Sequence, residues 1–191
     1  MGIWNTLLDR SVVFSFDRTG YRRHAQQFST EESERLDDRT ILITGSNSGI
    51  GFAAAEQLAQ RGASVVFACR SLERGTAALE EVRKRYPKSR LRLVQADMAD
   101  LSSVAKLVEA IDFPLHGLVH NAGNMLDSRE ITSEGIEYIT SLHVAGPYIL
   151  SLGLRAQLEA GARECCSRIV FVASGGMYSQ GLNSTELFLP T

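Results

Sequence analysis

Glycine recurs at positions 45, 49 and 51 in the run Thr44-Gly45-Ser46-Asn47-Ser48-Gly49-Ile50-Gly51. Set between a short aliphatic run and a segment of helical rhythm, that spacing can cradle a diphosphate. Glycine there permits a tight turn, lets the backbone approach a pyrophosphate and lets a helix pack closely on a strand. Free amides and the positive end of the helix dipole then face the phosphates. Gly45, Ser46, Asn47, Ser48, Gly49, Ile50 and Gly51 are the expected phosphate-side residues. The pattern is GxxxGxG, a cousin of the GxGxxG fingerprint. A glycine-rich turn without ligand is the alternative, and the strand-turn-helix setting argues against it.

About 20 residues on, at the end of the next apolar run, an acidic side chain would bind the ribose 2′-hydroxyl of NAD. The sequence there is Ala68-Cys69-Arg70. A guanidinium grips a 2′-phosphate in bidentate fashion, so Arg70 favours NADP(H), with NAD(H) as the second choice. A solvated arginine at a helix start is the bland reading. Asp97 follows the third apolar run and Asn121-Ala122-Gly123 the fourth. Ligands of open α/β sheets bind outside the carboxyl ends of the strands, so these motifs converge on one side of one sheet. Taken alone, Asp97 could cap the helix beginning at Leu101, and Asn121-Ala122-Gly123 could be a plain turn.

The elements that must position these residues follow from periodicity. Short, nearly continuous apolar runs at Thr40 to Thr44, Ala63 to Ala68, Leu91 to Ala96, Gly117 to His120 and Arg168 to Ala173 read as strands covered on both faces. Between them, helices are expected near Ile50 to Arg61, Leu72 to Tyr86, Leu101 to Ile111 and Glu134 to Ala160, long enough for parallel crossovers. The predicted fold class is α/β: a doubly wound, Rossmann-type parallel sheet in three layers, with about five strands.

Composition sets the outer bounds. The chain has 191 residues, 44% apolar and 22% charged, with a formal charge of −2. Those values describe a packed domain and exclude disordered, collagen-like and coiled-coil chains. The balanced charge gives no electrostatic reason to expect nucleic acid as a partner and turns attention to small-molecule chemistry. Three cysteines, Cys69, Cys165 and Cys166, show neither metal-ligand spacing nor a disulfide framework. The expected location is cytoplasmic. Residues 1 to 38 read as an amphipathic lead-in and linker, 39 to 183 as the nucleotide-binding domain, and 184 to 191 as an unplaced tail. Met1-Gly2-Ile3-Trp4-Asn5-Thr6 matches the N-myristoylation pattern, so a weak membrane-surface association through residues 1 to 30 is a further expectation. Asn183-Ser184-Thr185 is a glycosylation sequon by letter.

Thr44 to Gly51, Asp97, Asn121-Ala122-Gly123 and Ser174 together resemble the short-chain dehydrogenase/reductase family. Within it the chain is similar to the dehydrogenase/reductase member 12 branch, through Arg129-Glu130-Ile131-Thr132, Gly146 with Tyr148-Ile149-Leu150, and Ser174-Gly175-Gly176-Met177 with Gln180 and Asn183. Around Trp4, Gly20-Tyr21 and Phe28 the lead-in is similar too. The resemblance implies hydride transfer between a nicotinamide cofactor and a small alcohol or carbonyl compound. It also implies a catalytic serine, which by position is Ser174, and a tyrosine with a lysine four residues later that lowers the phenol's pKa.

That pair is absent. Four residues after the five tyrosines stand Ala25, Arg90, Leu142, Leu152 and Leu182, and the lysines are Lys84, Lys88 and Lys106. His143 occupies the family's asparagine position in the long helix; an imidazole there is bulkier and can carry charge, a departure from the family's usual water relay, and the bland reading is a helix residue hydrogen-bonded in place. The resemblance further implies two more strands and a helix bearing the missing pair, so the fifth strand is expected to be an open edge. The sequence is accordingly expected to be a truncated, cofactor-binding portion of an NADP-dependent oxidoreductase, inactive alone. The rival reading is a non-catalytic nucleotide-binding protein with a regulatory or interaction role. A homodimer through Glu134 to Ala160 is an expectation of the resemblance.

Overall fold

A computed structural model describes residues 18–25, 35–175 and 181, and the statements below concern those residues. The chain forms two compact units, one of Glu34–Val172 and one that joins Met1–Ser33 to Ala173–Thr191. In the second unit the described helix is α1 (Arg18–Ala25), eight residues with Gly20 buried. The apolar lead-in from Ile3 to Phe16, the Gly2 myristoylation pattern, the Asn183 sequon and the 184 to 191 tail lie outside the described residues.

The larger unit alternates strand and helix: β1 (Thr40–Thr44), α2 (Gly49–Gln60), β2 (Ser64–Cys69), α3 (Leu72–Arg85), β3 (Arg90–Gln95), α4 (Leu101–Glu109) and β4 (Gly117–His120). After β4 come α5 (Tyr138–Thr140), a wide π turn (Ser141–Ala145), α6 (Gly146–Gly153), α7 (Arg155–Glu164) and β5 (Arg168–Phe171). All strands pair parallel in the order β3-β2-β1-β4-β5. This is the doubly wound Rossmann-type sheet that alternating apolar runs and helical segments require.

Alternation along β1 and β2 divides the core in two. Leu42, Val66 and Ala68 face one layer, where Leu107, Leu150 and Leu154 from α4, α6 and its C-terminal boundary close over them. Ile43, Val65 and Phe67 face the other, against Ala55, Ala59, Leu79 and Val82 of α2 and α3. Burying both faces of β1 and β2 stabilises the centre of the sheet by roughly 1.5–3 kcal/mol per large side chain. The outer strands differ from expectation. Arg90, Arg92 and Gln95 of β3 are exposed, and so is every residue of β5; both are edge strands with a neighbour on one side only. Beyond Arg35, Leu36 anchors the approach to β1 through its N–H to the Arg61 carbonyl at 2.9 Å.

The expected helix over Glu134 to Ala160 is broken. Gly135 takes φ +76, Ile131 bridges Glu137, and helical structure starts only at Tyr138. The Glu137 carboxylate then caps the amides of Ile139 and Thr140 at 2.9 and 2.7 Å. The π turn lets fully buried Ser141 donate to the Ala99 carbonyl at 2.8 Å while Gly146 packs directly on the Met98 carbonyl. A side chain on Gly153 would meet Val108 Cγ2 at 2.6 Å, so α6 and α4 approach closely where the helix breaks before α7. Helix formers fill this stretch, but the packing against α4 sets its pitch.

Candidate functional site

The site begins at the carboxyl end of β1. Gly45 and Gly49 adopt φ +66 and +56, the left-handed region in which glycine is at ease. Gly45 N–H donates to the Ala68 carbonyl at 2.8 Å, joining the turn to β2. A Cβ on Gly45 would stand 2.8 Å from Ala122 Cα, and one on Gly51 would collide with the Asn121 side-chain amide and the Gly45 carbonyl. The loop after β4 therefore rests directly on the glycine turn. At the mouth of α2, Ser48 occupies the N-cap in an extended conformation with no capping side-chain bond. First-turn amides of a helix lack intrahelical partners, and at this end they face the cleft.

Thr44 and Asn121 lock the loops together. Thr44 Oγ1 accepts the amides of Asn121 and Ala122 at 3.1 and 3.0 Å, and Asn121 Nδ2 donates to the carbonyls of Thr44 and Gly45 at 3.0 and 3.1 Å. The main-chain amides of Asn121 and Ala122 and the Asn121 Nδ2 are thus spent on fixing the cleft wall. Beneath the turn, buried Ser46 directs its hydroxyl at Cys69 Sγ, 3.5 Å away, and burial pushes the Cys69 thiol up from its ordinary pKa. Ser46 lies under the cradle and its hydroxyl faces inward.

A cleft of about 400 Å³ opens between these loops. Gly45, Asn47, Ser48, Ile50, Arg70, Asp97, Asn121, Ala122 and Gly123 line it, so most residues singled out by sequence meet in one place. Asp97 does not cap α4. That role belongs to Asp100, whose carboxylate accepts the Ser102 and Ser103 amides at 2.9 and 3.1 Å. Asp97 instead accepts the Ala99 amide on Oδ1 at 3.0 Å, with Oδ2 standing 4.0 Å from Arg70 Nη1. Arg74, Tyr138 and Leu142 also line the cleft and were not singled out. The available signal was spacing: Arg74 sits one turn after Arg70, and Tyr138 and Leu142 share a helical face.

His143 lies on the π turn, exposed, with Nε2 3.2 Å from the Asn124 carbonyl and its ring against Gly123. It borders the loop that closes the cleft. Ser174 is exposed and belongs to the unit formed by Met1–Ser33 and Ala173–Thr191, not to the unit that carries the cleft. Among the described residues no helix is long and apolar enough to cross a membrane.

A positive-φ glycine cradle at a helix mouth, a guanidinium at the end of β2 and another in the first turn of α3, and a carboxylate beyond them suit a dinucleotide, with the amides able to hold a diphosphate and Arg70 and Asp97 a ribose. A Cβ built on Gly49 would meet nothing within 4 Å. The family model for short chain dehydrogenases matches residues 39–184. The chain belongs to the short-chain dehydrogenase family. Among curated members, dehydrogenase/reductase SDR family member 12 from Homo sapiens is 34% identical over 189 residues, covering 94% of this chain and 59% of that protein. Polyprenol dehydrogenase from Mus musculus is 35% identical over 153 residues, covering 78% of this chain and 46% of that protein. This short-chain dehydrogenase chain thus spans about half the length of the curated relatives it matches. In three dimensions it superposes on L-sorbose reductase from Gluconobacter frateurii, a crystal structure in complex with NADPH and L-sorbose. The TM-score is 0.62 with 27% identity, covering 73% of this chain and 53% of that one.

Proposed function

We propose that this short-chain dehydrogenase chain binds NADP(H) and is the cofactor-binding portion of an oxidoreductase that interconverts small alcohols and carbonyl compounds. The observation that carries the reading is the convergence of Gly45, Asn47, Ser48, Arg70, Asp97 and the Asn121–Gly123 loop on one cleft. The first-turn amides of α2 hold the diphosphate, Asp97 accepts from the adenosine end, and Arg70 and Arg74 face the 2′-phosphate. Family membership supports the reaction class, and the NADPH carried by L-sorbose reductase supports the cofactor.

Bound there, the nicotinamide supplies or accepts the hydride. The chain's own residues bind and orient it: Thr44 and Asn121 hold the two loops against each other, and Leu142 and Met98 exclude water along the apolar wall. With Ser174 as the serine of the reaction, a proton donor is still needed, and no tyrosine in the sequence has a lysine four residues later. The expected behaviour of this chain is nucleotide binding without turnover. Calorimetric titration of the folded full chain tests the reading. Saturable binding of NADPH, tighter than that of NADH, is expected; absence of heat with either dinucleotide would overturn it.

A further inference from the structure

Arg70 ends β2 and Tyr138 opens α5, yet the two meet across the mouth of the cleft. Arg70 Nη1 donates to the Tyr138 hydroxyl at 3.2 Å. The same nitrogen stands 4.0 Å from Asp97 Oδ2, too far for a hydrogen bond. Tyr138 is held in place independently of any ligand. Its N–H donates to the Glu130 carbonyl at 2.9 Å, the Glu137 cap fixes the turn that follows, and its ring packs on the core beneath the sheet. The phenol oxygen is used as an acceptor, and its hydrogen has no acceptor among the described residues. Both Arg70 and Tyr138 line the cleft.

We propose that Tyr138 is a specificity-determining residue for the 2′-phosphate, a role that rests on the NADP(H) reading above: its hydroxyl holds Arg70 off Asp97 and donates its own hydrogen to a phosphate oxygen. Two competing fates of the Arg70 guanidinium explain the need. At 4.0 Å the guanidinium and the Asp97 carboxylate form a loose ion pair; released from Tyr138, Arg70 is one short swing from a hydrogen-bonded pair that would take up the N–H groups a phosphate requires. Held by the phenol, the guanidinium stays at the lining of the cleft with N–H groups to spare. A phosphate then meets a guanidinium and an O–H donor together, and hydrogen bonds to such an anion are about twice as strong as neutral ones. An unphosphorylated ribose presents a neutral hydroxyl that gains little from either group, so the phenol discriminates between the two nucleotides.

The test uses the full chain and the variant Tyr138→Phe, which keeps the ring and its packing. Four probes are titrated: NADPH, NADH, 2′-AMP and 5′-AMP, with the melting temperature as the folding control. The expected result is about a tenfold loss of affinity for NADPH and 2′-AMP, and a change within about twofold for NADH and 5′-AMP. Equal weakening of all four probes would show a packing role and overturn the proposal, as would no change in any of them. The two readings fail differently. Wild-type protein that binds NADPH no tighter than NADH refutes the NADP(H) reading and this role with it. A wild-type preference for NADPH that survives intact in Tyr138→Phe refutes the role of Tyr138 alone.

Discussion

Thr44 Oγ1 accepts the main-chain amides of both Asn121 and Ala122, at 3.1 and 3.0 Å, from a residue that is 1% exposed. One hydroxyl thereby fastens the end of β4 to the end of β1 at the rim of the cleft. Thr44→Val keeps the shape and removes the acceptor, leaving two amides without their partner. Each such loss costs about 1–3 kcal/mol, so urea unfolding is expected to show a drop of that order or more. Unchanged stability would mean that water takes over both bonds.

The glycines of the cradle separate folding from binding. At Gly49 an added Cβ meets nothing, but the residue sits at φ +56, so Gly49→Ala is expected to cost roughly 1–2 kcal/mol of stability. The strained turn carries Ser48 and Ile50, which line the cleft, so nucleotide affinity is expected to fall by about tenfold or more. At Gly51 the same change drives into the Asn121 amide and the Gly45 carbonyl, with an expected loss above about 2 kcal/mol. Thermal melts and dinucleotide titrations on the two variants read out both effects.

Charge at the end of β2 sets the nucleotide preference proposed above. Arg70→Asp places a carboxylate beside Asp97 where a 2′-phosphate is expected. Repulsion of the phosphate, together with acceptance from a free 2′-hydroxyl, is expected to reverse the order of affinity so that NADH binds tighter than NADPH. Fluorescence titration with both nucleotides checks it, and a retained NADPH preference would contradict the assignment of Arg70.

His120 gives the fold an acid sensitivity. The side chain is 5% exposed, its Nε2 pairs with Ser151 Oγ at 2.8 Å, and its ring stacks on Phe171 at 4.6 Å. Burial lowers its pKa from 6.5 to about 4. Between those values the unfolded chain binds the proton and the folded chain does not, so stability is fully present above pH 6.5 and falls as the pH drops towards 4. The shift corresponds to ~3 kcal/mol in all. Denaturant unfolding measured from pH 7 to pH 4 is expected to show this slope, and His120→Phe to flatten it.

The sheet was legible because parallel strands buried on both faces write themselves as unbroken aliphatic runs. The bounds expected for β1 and β4 coincide with those observed. The glycine turn and the strand-end residues Arg70, Asp97 and Asn121 were legible for a related reason: each follows a recognisable strand directly. Tyr138 was not, since its arrival at Arg70 depends on how α5 docks, a tertiary event with no local trace. Between Asp97 and Asp100, three residues apart, sequence alone could not say which would cap α4, and the structure gives the cap to Asp100. The long-helix expectation failed where Ser141 and Gly146 are drawn to the carbonyls of Ala99 and Met98, because helix propensity carries no information about such docking.

The wide turn at Ser141–Ala145 stores one residue beyond the count of an ordinary helical turn, since the Gly146 N–H reaches the Ser141 carbonyl five positions back. Removing exposed Val144 would let that turn tighten to ordinary pitch and leave Leu150 in the interior. The same deletion made further on, within α6, would find no such slack and would spin everything downstream by about 100°.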